Sequence, residues 1–368
     1  MNLEYTDEQV ALRDTVRRYL SEKASVSGHV RAMLDDPTGT TDAVWRGLVD
    51  LGTTSLLVPA DRGGDGMSMT EAGIVSEELG AALHPGPWLS SAVAAPRALA
   101  HFGADGTRTC ELFAAVADGS VIATVAVAPP GDAALAADLH ADGAILRGEI
   151  APVPDAAAAH VLLVAGFGPH AKLFAVELNS PGVDVEAIPD VDPTRKNFRV
   201  VFTRAAAHVV AESDSVNSAA EALVDDIIIA RAADALGAAR QVLQMTVEHA
   251  KVRRQFGAAI GSFQAVAHLC VDMHETVELA RSGLMYALWA ADHAGPGERR
   301  RAALRVKAFA GQLAAVGDLA IQVCGGIGFT WEHDTHLYLK RLLSFSRFLG
   351  SPGGYLEQVG RELARGRA

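Results

Sequence analysis

The chain has 368 residues and a formal net charge of −12; 49% of it is hydrophobic and only 6% aromatic. Such a length exceeds one ordinary core and predicts two or three domains, and an Ala-, Leu- and Val-rich interior favours close-packed helices over an aromatic-rich sandwich. The acidic balance excludes broad contact with a polyanion, because nucleic acid rewards clustered Lys and Arg.

From Thr6, the spacing of Val10, Leu12, Val16 and Leu20 predicts an amphipathic helix with Thr6 as its N-cap. Trp45, Leu48 and Leu51-Gly52 predict a second helix ending at glycine. Leu56-Leu57-Val58-Pro59 then enters the turn Gly63-Gly64-Asp65-Gly66, and Thr70 to Gly80 reads as a helix capped at Ser68 or Thr70 and closed by Gly80. Near Gly119 the texture changes. Alternation at Val121, Ala123, Val125 and Val127, and short runs at Ala144–Leu146, Val161–Val164, Leu173–Val176 and Phe198–Phe202, predict a small β domain with turns at Pro129-Pro130-Gly131 and Ser180-Pro181-Gly182. Ala133–Ala137 and Ala156–Ala159 read as loop or strand-end filler.

After Glu212, three- and four-residue apolar spacing predicts long helices over Ala219–Lys251, Phe263–His293, Arg299–Val323 and Asp334–Leu349. Short turns between them suggest an antiparallel four-helix bundle. The expected fold class is α+β, mainly α, divided into residues 1–118 (helical), 119–211 (β) and 212–368 (helical bundle). Charged Asp225, Asp226 and Arg231 interrupt the apolar run at Ile227, and Met1 to Gln9 is polar and acidic, so neither a membrane span nor a signal peptide is expected. Cys110, Cys270 and Cys324 form no CxxC pair, which fits a reducing cytoplasm.

Several motifs remain. Tyr5-Thr6-Asp7-Glu8-Gln9, Leu51-Gly52, Val58-Pro59, Gly63-Gly64-Asp65-Gly66 and Glu77-Glu78-Leu79-Gly80 precede the β segment. Arg253-Arg254-Gln255-Phe256-Gly257, with Ile260 and Phe263-Gln264, and then Gln322-Val323-Cys324-Gly325-Gly326-Ile327-Gly328-Phe329 follow it. Chemically, a guanidinium offers a planar fork of donors to phosphate, and paired glycines let an anion reach backbone N–H groups. The bland readings are cations at a helix C-terminus for Lys251, Arg253 and Arg254, and a C-cap for Gly325-Gly326. Taken in this order over essentially the whole chain, the motifs resemble the acyl-CoA dehydrogenase family.

That resemblance implies FAD as cofactor and acyl-CoA as substrate. It implies that Arg254, Gln255, Phe256, Gln322, Gly325, Gly326 and Ser351 contact the cofactor, the two glycine-associated motifs reaching across a subunit interface to the diphosphate and adenosine of a neighbour's FAD. In the family a Glu within a Tyr-Glu-Gly-Thr stretch is the usual base; aligned without gaps from Gly325-Gly326, the corresponding stretch is Phe348-Leu349-Gly350-Ser351, and Leu349 accepts no proton. Some branches carry the base on the helix before the arginine motif, where Ile227 stands here with Asp226 beside it, about 100° away around the helix. The flavin-contacting segment of the β domain is replaced by Ala126-Val127-Ala128-Pro129-Pro130-Gly131-Asp132-Ala133.

Retained interface motifs without a base imply a division of labour: a homologous partner subunit in an α2β2 heterotetramer, with no nucleic acid and no membrane involved. Gly328-Phe329-Thr330-Trp331-Glu332-His333-Asp334 and His336 to Arg341 resemble the actinobacterial branch whose heteromeric members act on CoA thioesters of steroid side chains. Three alternatives stay open: a self-sufficient homo-oligomer using Asp226 or Glu332 as base, a non-catalytic structural subunit, and a flavin oxidase or monooxygenase of the same fold. The cluster Glu332, His333, Asp334 and His336 lacks metal-ligand spacing, so no metal is expected.

Overall fold

A computed structural model of the chain describes residues 4–127, 135–140, 143–165, 171–213 and 216–365. The chain divides into two compact units, one made of Met1–Gly28, Gly73–His84 and Ile228–Ala368, the other of His29–Ala72 and Pro85–Ile227. In order, the elements are α1 (Asp7–Lys23), α2 (Asp42–Asp50), α3 (Met69–Ala81), α4 (Ala95–His101), α5 (Thr107–Ala117), β1 (Ala123–Val127), β2 (Leu135–His140), β3 (Gly143–Pro154), β4 (Val161–Ala165), β5 (Ala171–Glu177), β6 (Val183–Ile188), β7 (Asn197–Ser213), α6 (Val216–Val252), β8 (Arg254–Gln255), β9 (Ala258–Ala259), α7 (Gln264–His293), α8 (Pro296–Ala310), α9 (Ala314–Cys324), α10 (Thr335–Arg347) and α11 (Pro352–Arg365). The architecture is mostly helical with a small central sheet, as expected from the sequence.

The second unit holds the sheet, in the order β1-β4-β5-β7-β3-β2 with β6 also paired to β7. Strand β1 runs parallel to β4, and the other described pairs are antiparallel. The long strand β7 pairs with β3 and β6 through its first half and with β5 through its last residues. Arg204 is skipped in the β3 register and sits at φ 61°, the left-handed residue of a bulge that bends the strand. Two strands were not foreseen. Residues Leu135–His140, partly read as filler, form β2, and Val183–Ile188 form β6; both carry exposed or polar residues that blur the apolar alternation.

The first unit is the bundle. Thr6 caps α1 as expected: Gln9 N–H donates to Thr6 Oγ1 (3.3 Å) while Thr6 N–H donates to Gln9 Oε1 (3.0 Å). Gly80 does not close α3; it lies inside it, where a Cβ would meet Asp234 O at 1.9 Å, and Gly237 is its counterpart, a Cβ there meeting Glu77 O at 1.8 Å. Reciprocal glycines therefore let α3 and α6 cross backbone to backbone. The buried pair Glu77 and Glu78 locks that crossing: Arg17 binds Glu78 through two bonds of 2.8 and 2.9 Å, Arg240 spans both carboxylates at 3.0 and 2.8 Å, and Arg281 reaches Glu77.

The helix expected over Arg299–Val323 is broken into α8 and α9 by a 3-10 turn at Gly311–Leu313. Gly311 at this turn lets α11 pack close, for a Cβ would stand 2.4 Å from Pro352 Cγ. Helix α11 itself was missed, although Ser351-Pro352 is a cap followed by a proline at the first helical position. Pro296–Phe329 is long and apolar enough to cross a membrane by length and composition alone. It is interrupted at Gly311, carries the fully buried Lys307 and packs Leu304, Val306, Leu313 and Val316 into the unit, which marks it as a core element of the bundle.

Candidate functional site

Past the last turn of α6, Arg254-Gln255 pairs with Ala258-Ala259 in a two-residue hairpin. Both turn residues lie in the left-handed region, Phe256 at φ 49° and Gly257 at φ 79°, the geometry that matches strand twist in tight hairpins. Glycine adopts it freely, whereas Phe256 is strained and is also 94% exposed, its ring edge-on to Phe263 at 6.3 Å. Arg254 and Gln255 are exposed too, and Arg254 makes only a long 3.4 Å bond to Gly257 O. Behind the hairpin lies an open, mainly apolar groove of about 470 Å³ lined by Val247, Ala250, Ala259, Gly261, Ala267 and Cys270.

Helix α9 ends where Gly325 turns to φ 65°. Gly325 and Gly326 are exposed, and a Cβ on either would meet nothing within 4 Å, while Gly325 N–H donates to Ile321 O at the end of α9. Gln322 is exposed one turn earlier. In the turn that follows, His333 Nδ1 accepts from Thr335 N–H (3.3 Å) and faces Thr335 Oγ1 at 2.5 Å. His333 also lies edge-on to His249 of α6, centroids 6.3 Å apart. Burial, then His333 and Arg253, hold the His249 imidazole below its usual range. The structure thereby brings the end of α6 that carries Arg254 and the turn beyond the paired glycines to one end of the bundle.

The description "Acyl-CoA dehydrogenase, N-terminal domain" matches residues 6–113, and "Acyl-CoA dehydrogenase, C-terminal domain" matches residues 228–364. The chain belongs to the acyl-CoA dehydrogenase family. Acyl-CoA dehydrogenase IpdE2 of Mycobacterium tuberculosis is 31% identical over 97% of this chain and 98% of its own length. Acyl-CoA dehydrogenase FadE34 of the same organism is 34% identical over 96% of this chain but only 48% of its own length. Among solved structures, the ChsE4-ChsE5 complex from Mycobacterium tuberculosis is similar at 29% identity and a TM-score of 0.87, covering 99% of each chain.

Within this acyl-CoA dehydrogenase, Leu349 occupies the turn between α10 and α11 and is 52% exposed at φ 55°, a costly backbone for leucine. Three anchors hold the turn. Lys307 Nζ donates to Phe345 O (2.8 Å) and Ser346 O (3.1 Å) at the end of α10, Arg231 lies over the Phe348 ring at 4.0 Å, and Tyr355 Oη donates to Leu349 O (3.1 Å). Ser351 Oγ accepts from Gly354 N–H at 3.3 Å and so caps α11. Burial, with Arg231 adding to it, pushes the Lys307 ammonium down to about 8. Sequence reasoning missed these anchors, since a lysine in an apolar helix pattern carries no sign of which carbonyls it will meet.

Asp226 is fully buried and clamped by Arg97 Nε (2.5 Å) and His101 Nε2 (2.7 Å). A carboxylate held by two such groups is a structural ion-pair member rather than one presented to an open site. Glu332 is exposed on the turn before α10, in the same stretch as Trp331 and His333. Of the expected flavin-contacting segment, Ala126 and Val127 close strand β1, and 128–133 lie outside the described residues. Among the described residues no group of three or more His, Cys, Asp or Glu is arranged to hold a metal.

Proposed function

We propose that this chain is a subunit of an FAD-dependent acyl-CoA dehydrogenase that lacks its own base at the usual position and completes the FAD site of a homologous partner. The observation that carries this reading is the pairing of exposed donors with a missing acid: Arg254, Gln322, Gly325 and Gly326 stand at the surface, while the base position is Leu349. These donors fit a dinucleotide's diphosphate, for Arg254 supplies a planar pair of N–H groups and the paired glycines put no side chain in the way of an anion approaching the backbone, although Gly325 N–H itself is held by Ile321 O. Gln255 and Phe256 follow that arginine in the hairpin, and Ser351 offers a hydroxyl at the start of α11. When bound, FAD supplies the hydride acceptor for forming an α,β-unsaturated CoA thioester. The proton beside the thioester carbonyl needs a carboxylate, which falls to the partner because Leu349 accepts none and Asp226 is held by Arg97 and His101.

Two relatives support a partner of the same family. The name of the ChsE4-ChsE5 structure is that of a two-chain complex, and FadE34 leaves room, beside the half this chain matches, for a second unit of similar size. The resemblance of residues 328–341 to the branch acting on steroid side-chain thioesters supports an α2β2 assembly with such a substrate, and the chain is divided near residues 118 and 211. Three cysteines, each unpaired, fit a reducing cytoplasm.

The test is flavin content and turnover of the chain purified alone and co-expressed with a homologous subunit. The expected result is a colourless, inactive chain alone and a yellow, active complex, from which Arg254→Ala loses flavin. A chain that is yellow by itself and bleached anaerobically by acyl-CoA would overturn the reading.

A further inference from the structure

Two histidines tie the turn that leads into α10 to the end of α6. His249 lies in the last turns of α6 and His333 two residues ahead of Thr335; both are half-buried, and their rings stand edge-on at 80° with centroids 6.3 Å apart. His333 has a second task. The first N–H groups of a helix find no partner within it, and the N-cap residue of α10, Asp334, makes no side-chain cap. Thr335 N–H donates instead to His333 Nδ1 at 3.3 Å, so the imidazole takes the place of a cap.

Both ties need uncharged rings. A ring nitrogen accepts from an N–H only while it carries no proton. Two protonated rings would be cations at the 6.3 Å separation of these centroids, a like-charge pair that the fold disfavours. The charges that bear on His249 are His333 from the turn and Arg253 one helical turn further along; both oppose its protonation, and burial acts in the same direction more strongly. Of the remaining charged groups, Glu248 is paired with Lys251 at 2.6 Å, and Glu332 and Asp334 adjoin His333 in its own turn.

We propose that His249 and His333 form an acid-sensitive clasp: with both rings uncharged it holds the turn after the paired glycines against α6 and caps α10, and a proton taken up by the pair opens it. The sign follows from linkage. His249, held below its ordinary value of 6.5 while the turn is closed, binds a proton more readily once the turn is open. The open form therefore carries more protons, so closure is favoured as pH rises and is lost as pH falls below that value. What moves is the segment bearing Phe329 and Trp331, 71% and 59% exposed. The clasp belongs to this chain's own fold and does not depend on which cofactor binds at that end of the bundle.

The test is hydrogen exchange of the full-length chain at pH 7.5 and pH 5, read as the protection of amides in residues 327–337 after correction for the intrinsic pH dependence of exchange. In the wild type that protection is expected to fall about tenfold on acidification, the order set by two like charges at this separation near a protein surface. His249→Phe keeps an aromatic ring, His333→Asn keeps an acceptor for Thr335 N–H, and neither new side chain takes up a proton. Each variant is expected to hold its protection at both pH values, and amides in residues 228–240, where α6 crosses α3, should stay unchanged throughout. Wild-type protection that does not respond to acid, or a fall of the same size in either variant, would overturn the proposal. So would an equal fall at residues 228–240, which would mean that acid loosens the whole bundle rather than one clasp.

Discussion

Glu78 is nearly inaccessible yet carries two arginines, and that asymmetry sets what its loss costs. Removing the carboxylate leaves Arg17 and Arg240 facing each other beside Glu77 alone, so Glu78→Ala is expected to destabilise the bundle by about 3 kcal/mol, measured by urea unfolding. Lys307 poses the opposite problem, a buried ammonium depressed to about 8 by burial from an ordinary value of 10.5. Between those two values the unfolded chain holds a proton that the folded chain has released, so the unfolded state binds more protons and stability rises with pH across that window. Below it both states are charged and the burial cost is fully present. The difference in melting temperature between wild type and Lys307→Met should therefore shift in favour of the wild type from pH 8 to 10; a difference that stays flat would mean that Lys307 is not the titrating group.

At the scale of elements, the crossing of α3 and α6 depends on the absence of two methyl groups. A Cβ at residue 237 would meet a carbonyl oxygen of the neighbouring backbone, which cannot rotate away as a side chain would. Gly237→Ala should thus cost at least the upper end of ordinary overpacking, about 3 kcal/mol, with Gly353→Ala as a control because nothing lies near that position. Ser351 has a separable local role, since its hydroxyl satisfies an N–H at the start of α11. Ser351→Ala is expected to lower stability by about 1 kcal/mol, and Ser351→Asp to retain it. An alanine variant that also loses flavin from the complex, at unchanged stability of the aspartate variant, would assign the hydroxyl to the cofactor as well.

For the molecule as a whole, the retained turn at Leu349 makes a sharp prediction. Lys307, Arg231 and Tyr355 hold the turn in place whatever side chain it presents, so Leu349→Glu should fold normally. It should still yield no dehydrogenation in the chain purified alone, because on our reading the base is not the only missing part. Turnover by that single variant without a partner, assayed anaerobically with acyl-CoA and an artificial acceptor, would refute the division of labour.

The order of helices, strands and bundle was legible because apolar spacing of three and four against two survives without knowledge of neighbours, and caps such as Thr6 act within one turn. The arginine and glycine motifs also stand out as patterns, and the proposal that they hold an anion rests on their residue types. Strand β6 escaped because its exposed positions are Asp184, Glu186 and Ala187, β2 because its alanines carry no strand signal, and the contact that requires glycine at 311 because Pro352 lies some forty residues away. What the tertiary structure alone decided were the long-range pairings: Asp226 with Arg97 and His101, Glu77 and Glu78 with three arginines, Lys307 with the end of α10. Periodicity tells which face of a helix is buried. The partner a buried charge meets there depends on how helices far apart in the chain cross, and no local pattern records that.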